Sequence, residues 1–204
     1  MELNAEVFLR DILNYRCPRY EELPGIPLYS DQVIEALNLY TAAFRFPDEP
    51  ALTAAMINNY VKQRLIAPPV KKRYDRDQLA HLFCICLLKQ VFTISEVRGL
   101  LEIQARSYPF PKAYDYFCTE LEKALHTTFS TRDFSAPSSA SQVTPASELV
   151  RIAALCVANR MFTAKFLDYV DTLPDHILSS PLPSPTVLPP TLFPALEAVP
   201  ESDE

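Results

Sequence analysis

The residues best able to do chemistry lie between Leu52 and Leu101, where cationic side chains are concentrated. This stretch holds eight basic residues against three acidic ones, although the whole chain has a formal net charge of −6. Lys71, Lys72 and Arg73 follow one another directly. Because a basic island in an acidic chain attracts polyanions to that segment alone, the pattern favours docking on a phosphate backbone. Such a run is more often only a solvated loop, and charge by itself leaves both interpretations open.

Sequence motifs of enzymes are missing from the chain. It contains no Gly-x-Ser-x-Gly elbow, no phosphate loop and no paired acidic motif in an apolar setting. Its two glycines, Gly25 and Gly99, are too few for loops that approach a phosphate closely. We therefore expect a protein without catalytic activity or a bound cofactor, and a sensor pocket for a small molecule or metal has little support in the sequence.

Cysteines are the candidate metal ligands. Their odd number and wide spacing make a poor disulfide framework and favour a reducing compartment. Cys84 and Cys86 would point about 200° apart on a helix and cannot chelate compactly, whereas His81 and Cys84, three residues apart, could. Because cysteine often behaves as a small core residue, we expect buried structural cysteines and no bound metal. The five cysteines are Cys17, Cys84, Cys86, Cys118 and Cys156.

Targeting signals are also missing from the sequence. No window approaches the roughly 20 apolar residues of a membrane span, and the first residues lack a basic region followed by an apolar run. The sequence predicts a cytoplasmic protein with no membrane partner.

Apolar periodicity predicts an all-α domain over residues 1–175. Thr53, Asp75 and Thr93 are suited to cap helices, Thr93 together with Glu96 in a capping box. After an opening helix that Cys17 and Pro18 break, we expect helices at Asp31 to Phe44, Thr53 to Gln63, Asp75 to Val91, Thr93 to Leu101, Ala113 to Leu125, and Pro145 to Leu173.

Three further segments have a distinct composition. The stretch from Ala67 to Tyr74 contains Pro68 and Pro69 and is predicted to be a loop, arm or strand. Residues 179–204 carry seven prolines and an acidic end, which is typical of a disordered tail. The apolar residues of the last helix cover more than one stripe, which suggests a homodimer.

The segment from Leu52 to Leu101 holds its features in a recognisable order. A short capped helix is followed by Leu-Ile-x-Pro-Pro, a basic stretch ending Arg-Tyr-Asp, an apolar helix and Thr-Ile-Ser-Glu-Val. This order resembles the DNA-binding head of MerR-type regulators, a winged helix-turn-helix. The sequence also resembles, over about Leu23 to Leu101, a bacterial family called domain of unknown function 1836, through LPGIPLYSDQV, MINNYVK, PPVKKRY and LLKQV.

The MerR resemblance implies a set of contacts to double-stranded DNA. The helix from Thr53 to Gln63 would be the recognition helix, with its amides and lysine in the major groove, and the basic stretch would be a wing on the phosphate backbone. The implied DNA-binding residues are Thr53, Asn58, Asn59, Lys62, Lys71, Lys72, Arg73 and Tyr74.

Two functions are therefore weighed for this helical domain. The first is a DNA-binding transcriptional regulator. The alternative is a non-catalytic protein-protein interaction module that has lost DNA binding. The acidic remainder of the chain and Asn58, which stands where arginine is common in MerR heads, motivate this alternative. Two further departures from MerR heads are Arg64, at the usual glycine position after the helix, and residues 46–51, which lengthen the connection before it.

Overall fold

The computed structural model describes residues 12–45 and 50–171, and the side chain of Tyr169 lies outside that description. The described part is mostly helical, as the sequence predicts. Its helices are α1 (Ser30–Tyr40), α2 (Ala54–Lys62), α3 (Arg76–Leu88), α4 (Ile94–Ser107), α5 (Phe110–Ser130) and α6 (Pro145–Val170). Short 3-10 turns occupy Tyr20–Glu22 and Ala42–Phe44, and the two-residue strands are β1 (Leu28–Tyr29) and β2 (Arg73–Tyr74).

Helix starts follow the capping residues of the sequence. The hydroxyl of Thr53 accepts a hydrogen bond from the amide of Met56 at 3.2 Å. Asp75 caps α3 in the same way, and Thr93 and Glu96 form a reciprocal capping box at α4. The three predicted caps are confirmed, because short polar side chains satisfy the amide groups that a first helical turn leaves unpaired.

Helices α4 and α5 run past their predicted ends, to Ser107 and Ser130, whereas α1 and α3 stop short of theirs. The helix expected to reach Phe44 ends at Tyr40, where both the amide and the hydroxyl of Thr41 bond to the carbonyl of Leu37. The helix expected to reach Val91 ends at Leu88, and tight turns carry the chain onward. In both places the apolar pattern continues past the helix, because residues in the following turn also pack on the core.

Helix α3 lies at the centre of the core. Its side chains are buried on every face, and it contacts α1, α5 and α6. Cys84 and Cys86 are buried within it, as are Cys17 and Cys118 elsewhere, whereas Cys156 is half-buried. Four of the five thiols are thus buried, as the sequence predicts for structural cysteines, and burial raises the pKa of Cys84 well above its ordinary value.

Helices α5 and α6 form the longest contact in the fold and are joined by a loop at 131–144. The carboxylate of Glu120, on α5, accepts a hydrogen bond from the amide of Ser139 at 2.8 Å. Arg151, on α6, donates to the carbonyls of Ser135 and Ala136 at 2.6 and 2.7 Å. The loop is thus tied to both helices.

Several predictions fall outside the described residues. The Pro-rich tail at 179–204, the start of the opening helix at 1–11, and the segment 46–49 are among them. In the described ranges, no helix has the length and apolar character needed to cross a bilayer.

Candidate nucleic-acid interface

Helix α2 presents a polar face to solvent. Ile57 and Tyr60 are buried, with exposed fractions of 0% and 4%, and attach the helix to the core. Asn58, Asn59 and Lys62 are exposed. Because residues three and four apart are neighbours on a helix, the structure brings these three predicted residues together on one surface. Thr53 lies at the start of the same helix, where its hydroxyl serves as the cap.

The C-terminal end of α2 is closed by a left-handed residue. Arg64 has a φ of 58°, its amide donates to the carbonyl of Val61, and the amide of Leu65 donates to the carbonyl of Tyr60, both at 2.9 Å. This is the Schellman arrangement, in which glycine is the usual residue. A side chain in this conformation costs about 1 to 2 kcal/mol.

A second closure of α2 comes from a distant helix. Arg98, on α4, donates from Nη2 to the carbonyl of Gln63 at 2.8 Å. No local sequence pattern predicts this contact, because 35 residues separate Arg98 from Gln63.

The predicted wing is a small hairpin with a cationic tip. Val70 and Arg73 exchange two backbone hydrogen bonds of 3.0 and 2.9 Å. Lys71 and Lys72 form the turn between them, with φ values of 49° and 64°. Two successive left-handed residues characterise a type I′ turn, which ordinarily prefers Asn-Gly. Both lysines are exposed at the tip.

The base of the hairpin is anchored on both sides. Strand β2 pairs with β1 in antiparallel register, Leu28 opposite Tyr74 and Tyr29 opposite Arg73. The buried amide of Gln78, in the first turn of α3, donates to the carbonyls of Ala67 and Pro68 at 2.8 and 3.1 Å. These contacts hold the cationic tip in a defined place.

Two of the predicted contact residues have other roles at this base. Tyr74 is 3% exposed and belongs to the core, and burial raises the pKa of its hydroxyl. The MerR resemblance implied a DNA contact for Tyr74, but the alternation of side chains along β2 turns Tyr74 inward. Arg73 is exposed and donates to the hydroxyl of Tyr29 at 3.0 Å, with its guanidinium 4.7 Å from that ring's centroid. Sequence reasoning missed Tyr29, which β1 places opposite Arg73.

Left-handed backbone and positive charge coincide in this protein. Across the described ranges, the non-glycine residues with positive φ are Arg64, Lys71, Lys72 and Arg132, and neither glycine has positive φ. Three of the four lie in the basic segment. Strain of this kind is commonly retained at functional sites, because selection for stability alone would favour glycine or asparagine there.

The histidine and cysteines that could have formed a metal site do not do so in the described part of the chain. No group of three or more His, Cys, Asp or Glu residues lies close enough there to hold an ion. His81 bonds through Nδ1 to the carbonyl of Asp77 at 2.8 Å and stacks on Phe110 with ring centroids 3.7 Å apart. Burial lowers the pKa of His81, and its contacts are those of a packing residue.

The segment that holds the candidate interface is similar to a known family. Residues 18–117 match the family described as Domain of unknown function (DUF1836), which supports the family resemblance of the sequence. No curated protein and no solved structure shows significant similarity to the chain. The matched segment contains β1, the hairpin and α1 to α4, and ends within α5.

Proposed function

We propose that this protein is a transcriptional regulator that binds double-stranded DNA through the polar face of α2 and the cationic tip of the hairpin. The observation that carries the proposal is the tip itself. Lys71 and Lys72 hold consecutive left-handed conformations on an anchored hairpin. A solvated loop would gain nothing from that strain, whereas a phosphate backbone rewards two cations held at fixed positions.

The two surfaces have different chemistry. Asn58 and Asn59 carry amides that can donate to and accept from one adenine at once, and Lys62 can reach guanine or phosphate. Lys71 and Lys72 carry only charge and would fix the position of the protein on the duplex. Arg64, at the end of α2, adds a further exposed cation. Sequence would thus be read by the helix, and affinity would come mainly from the tip.

The proposal includes a homodimer, because two heads could read two half-sites about one helical turn apart. Helix α6 exposes Ile152 and Leu167, with fractions of 44% and 58%, and offers an apolar surface to a second copy. Light scattering of the full chain tests this part separately, and a molecular mass near the 23.1 kDa of one chain would contradict it.

A second candidate is a protein-protein interaction module. Leu39 on α1, Ile26 before β1 and Val70 in the hairpin are each 73% exposed. Apolar side chains exposed to this extent suit a protein partner better than a phosphate backbone. The net negative charge of the chain points the same way, because it repels DNA everywhere outside the basic segment.

Salt dependence distinguishes the two candidates. If Lys62, Lys71, Lys72 and Arg73 each neutralise one phosphate, binding should show a log–log salt slope of about −3.6 per head, which Arg64 would steepen by about one unit more if it also contacts a phosphate. Alanine at the last three together should weaken binding to every sequence and flatten the slope by about 2 to 3 units. The measurement is a fluorescence titration on a selected site and a scrambled duplex at several salt concentrations.

The matched control removes three cations elsewhere, by alanine at Arg106, Lys123 and Lys165 on α4, α5 and α6. Both triple variants have the same net charge, so only position distinguishes them. Alanine at Asn58 or Asn59 should relax sequence preference and leave the slope nearly unchanged, since an amide–base pair contributes about 1 to 3 kcal/mol of discrimination. Equal binding by the wild type and the hairpin variant would reject DNA docking and favour the interaction module.

A further inference from the structure

A cavity of about 370 Å³ lies between α3, α4, α5, α6 and the loop at 131–144. Its wall is mainly apolar and includes Leu88, Leu101, Phe117 and Val150. The volume is within the range of about 300 to 1,000 Å³ that small organic ligands occupy. We propose that this cavity binds a small amphipathic acid, a molecule with an apolar body and one anionic group.

The charge of the cavity argues for an anionic ligand. Among the residues that line it, Lys112 is the only ionised one. Its Nζ lies 5.9 Å from the ring centroid of Tyr108, which also lines the wall. Lys112 is exposed, so an anion can reach it without burying the ammonium group alone.

Tyr116 supplies a hydrogen-bond donor on the same side. It follows Lys112 by four residues on α5, and side chains at this spacing are neighbours. Its hydroxyl is 3.3 Å from the hydroxyl of Ser138 and 3.4 Å from the carbonyl of Ser147. Both contacts are long, so they are weak enough to exchange for a carboxylate. Burial raises the pKa of Tyr116, which keeps its proton in place at neutral pH.

The loop at 131–144 forms one wall of the cavity and is held by hydrogen bonds to α5 and α6. Glu120 holds the amide of Ser139 and Arg151 holds the carbonyl of Ala136, so the loop cannot fold into the cavity without losing these bonds. Glu120 lies behind Ser139 and does not line the cavity. The pKa of Arg151 is raised mainly by Glu148 and also by Glu120, so the cation offsets the carboxylate near the loop.

Helix α4 connects this cavity to the candidate DNA interface. Leu101 and Gln104 line the cavity, while Arg98, on the same helix, closes the C-terminal end of α2 through Gln63. A ligand that shifts α4 would therefore alter how α2 is held. This consequence rests on the proposed DNA binding, whereas ligand binding itself does not.

The probes for this proposal are decanoate and decanol, which differ in the charge of the head group. Each is added to the full chain at concentrations below those at which the probe itself aggregates. Decanoate should raise the melting temperature by several degrees at saturation, and decanol by less. The substitution Lys112→Gln should weaken decanoate about tenfold and leave decanol unchanged. The matched control is Lys123→Gln, which removes a cation of α5 that does not line the cavity.

A blocking variant shows where the probes bind. Ala140→Trp, in the loop wall, fills part of the cavity and should lower the affinity for both probes, with the helical circular dichroism of the wild type retained. Equal affinity for both probes would overturn the anionic head group, and failure of decanoate to bind or stabilise would overturn the site. Neither result depends on DNA. Failure of the ligand proposal and failure of the DNA-binding proposal can therefore be distinguished.

Discussion

The candidate interface and the helical body stabilise their backbones in different ways. The interface, from β1 to β2, has helices of eleven and nine residues, two-residue strands and three cationic residues in left-handed conformations. The body, α3 to α6, has longer helices, of which α3 is buried along most of its length, and its one left-handed residue is Arg132. The difference indicates that the body supplies the stability that the interface gives up in strain.

The largest expected effect lies in the body. Phe83 is fully buried in α3 and contacts Tyr114 edge to face with centroids 5.9 Å apart. Phe83→Ala should lower the free energy of unfolding by about 3 to 5 kcal/mol, because it leaves a cavity in the core. Thr53→Ala, at the cap of α2, should cost only about 1 kcal/mol. Urea denaturation of both variants measures the two losses in unfolding free energy. Equal losses would contradict the difference expected between the body and the interface.

Replacing the strained tip should separate stability from binding. Lys71→Asn with Lys72→Gly installs the residues that a type I′ turn prefers. Relief of strain at two positions, less the added entropy of the unfolded chain, should raise the free energy of unfolding by about 1 to 2 kcal/mol. DNA affinity should fall at the same time, and the salt slope should flatten by about 2 units. A variant that is more stable and binds DNA as tightly as the wild type would contradict a functional reason for the strain.

Two arginines in the same conformation allow a matched comparison between the regions. Arg64→Gly should stabilise the protein by up to about 1 kcal/mol, because strain relief exceeds the entropic cost of glycine. Arg132→Gly should gain less, since its side chain is half-buried and loses packing. Only Arg64→Gly should weaken DNA binding, and it should also flatten the salt slope by about 1 unit. Thermal unfolding and salt titration of both variants test these expectations. Weaker DNA binding by Arg132→Gly would contradict the assignment of DNA binding to the interface alone.

A smaller effect concerns pH. Burial lowers the pKa of His81 in the folded state, so between that pKa and the ordinary value of about 6.5 the unfolded chain binds more protons. The stability associated with His81 is therefore complete above about pH 6.5 and is lost as the pH falls toward the folded pKa. His81→Phe should flatten the pH dependence of the unfolding free energy between pH 5 and 7.5. An unchanged profile would show that His81 does not titrate with folding.

Local chemistry was enough to predict much of the fold. Thr53, Asp75 and Thr93 cap helices because their side chains reach amides three residues away, and Pro68 and Pro69 cannot occupy the interior of a helix. The exposed side of α2 followed from the 3.6-residue period, which separates Ile57 and Tyr60 from Asn58 and Asn59. These features depend on neighbours along the chain, and the sequence alone determined them.

Tertiary packing decided the rest. The inward turn of Tyr74, the pairing of Arg73 with Tyr29 and the closure of α2 by Arg98 join residues that are far apart in sequence. The cavity lined by Lys112 and Tyr116 forms only where four helices and a loop meet, and the sequence showed no sign of it. A pattern read along one chain reports which face of a helix is apolar. Which distant side chain meets that face depends on how the helices pack.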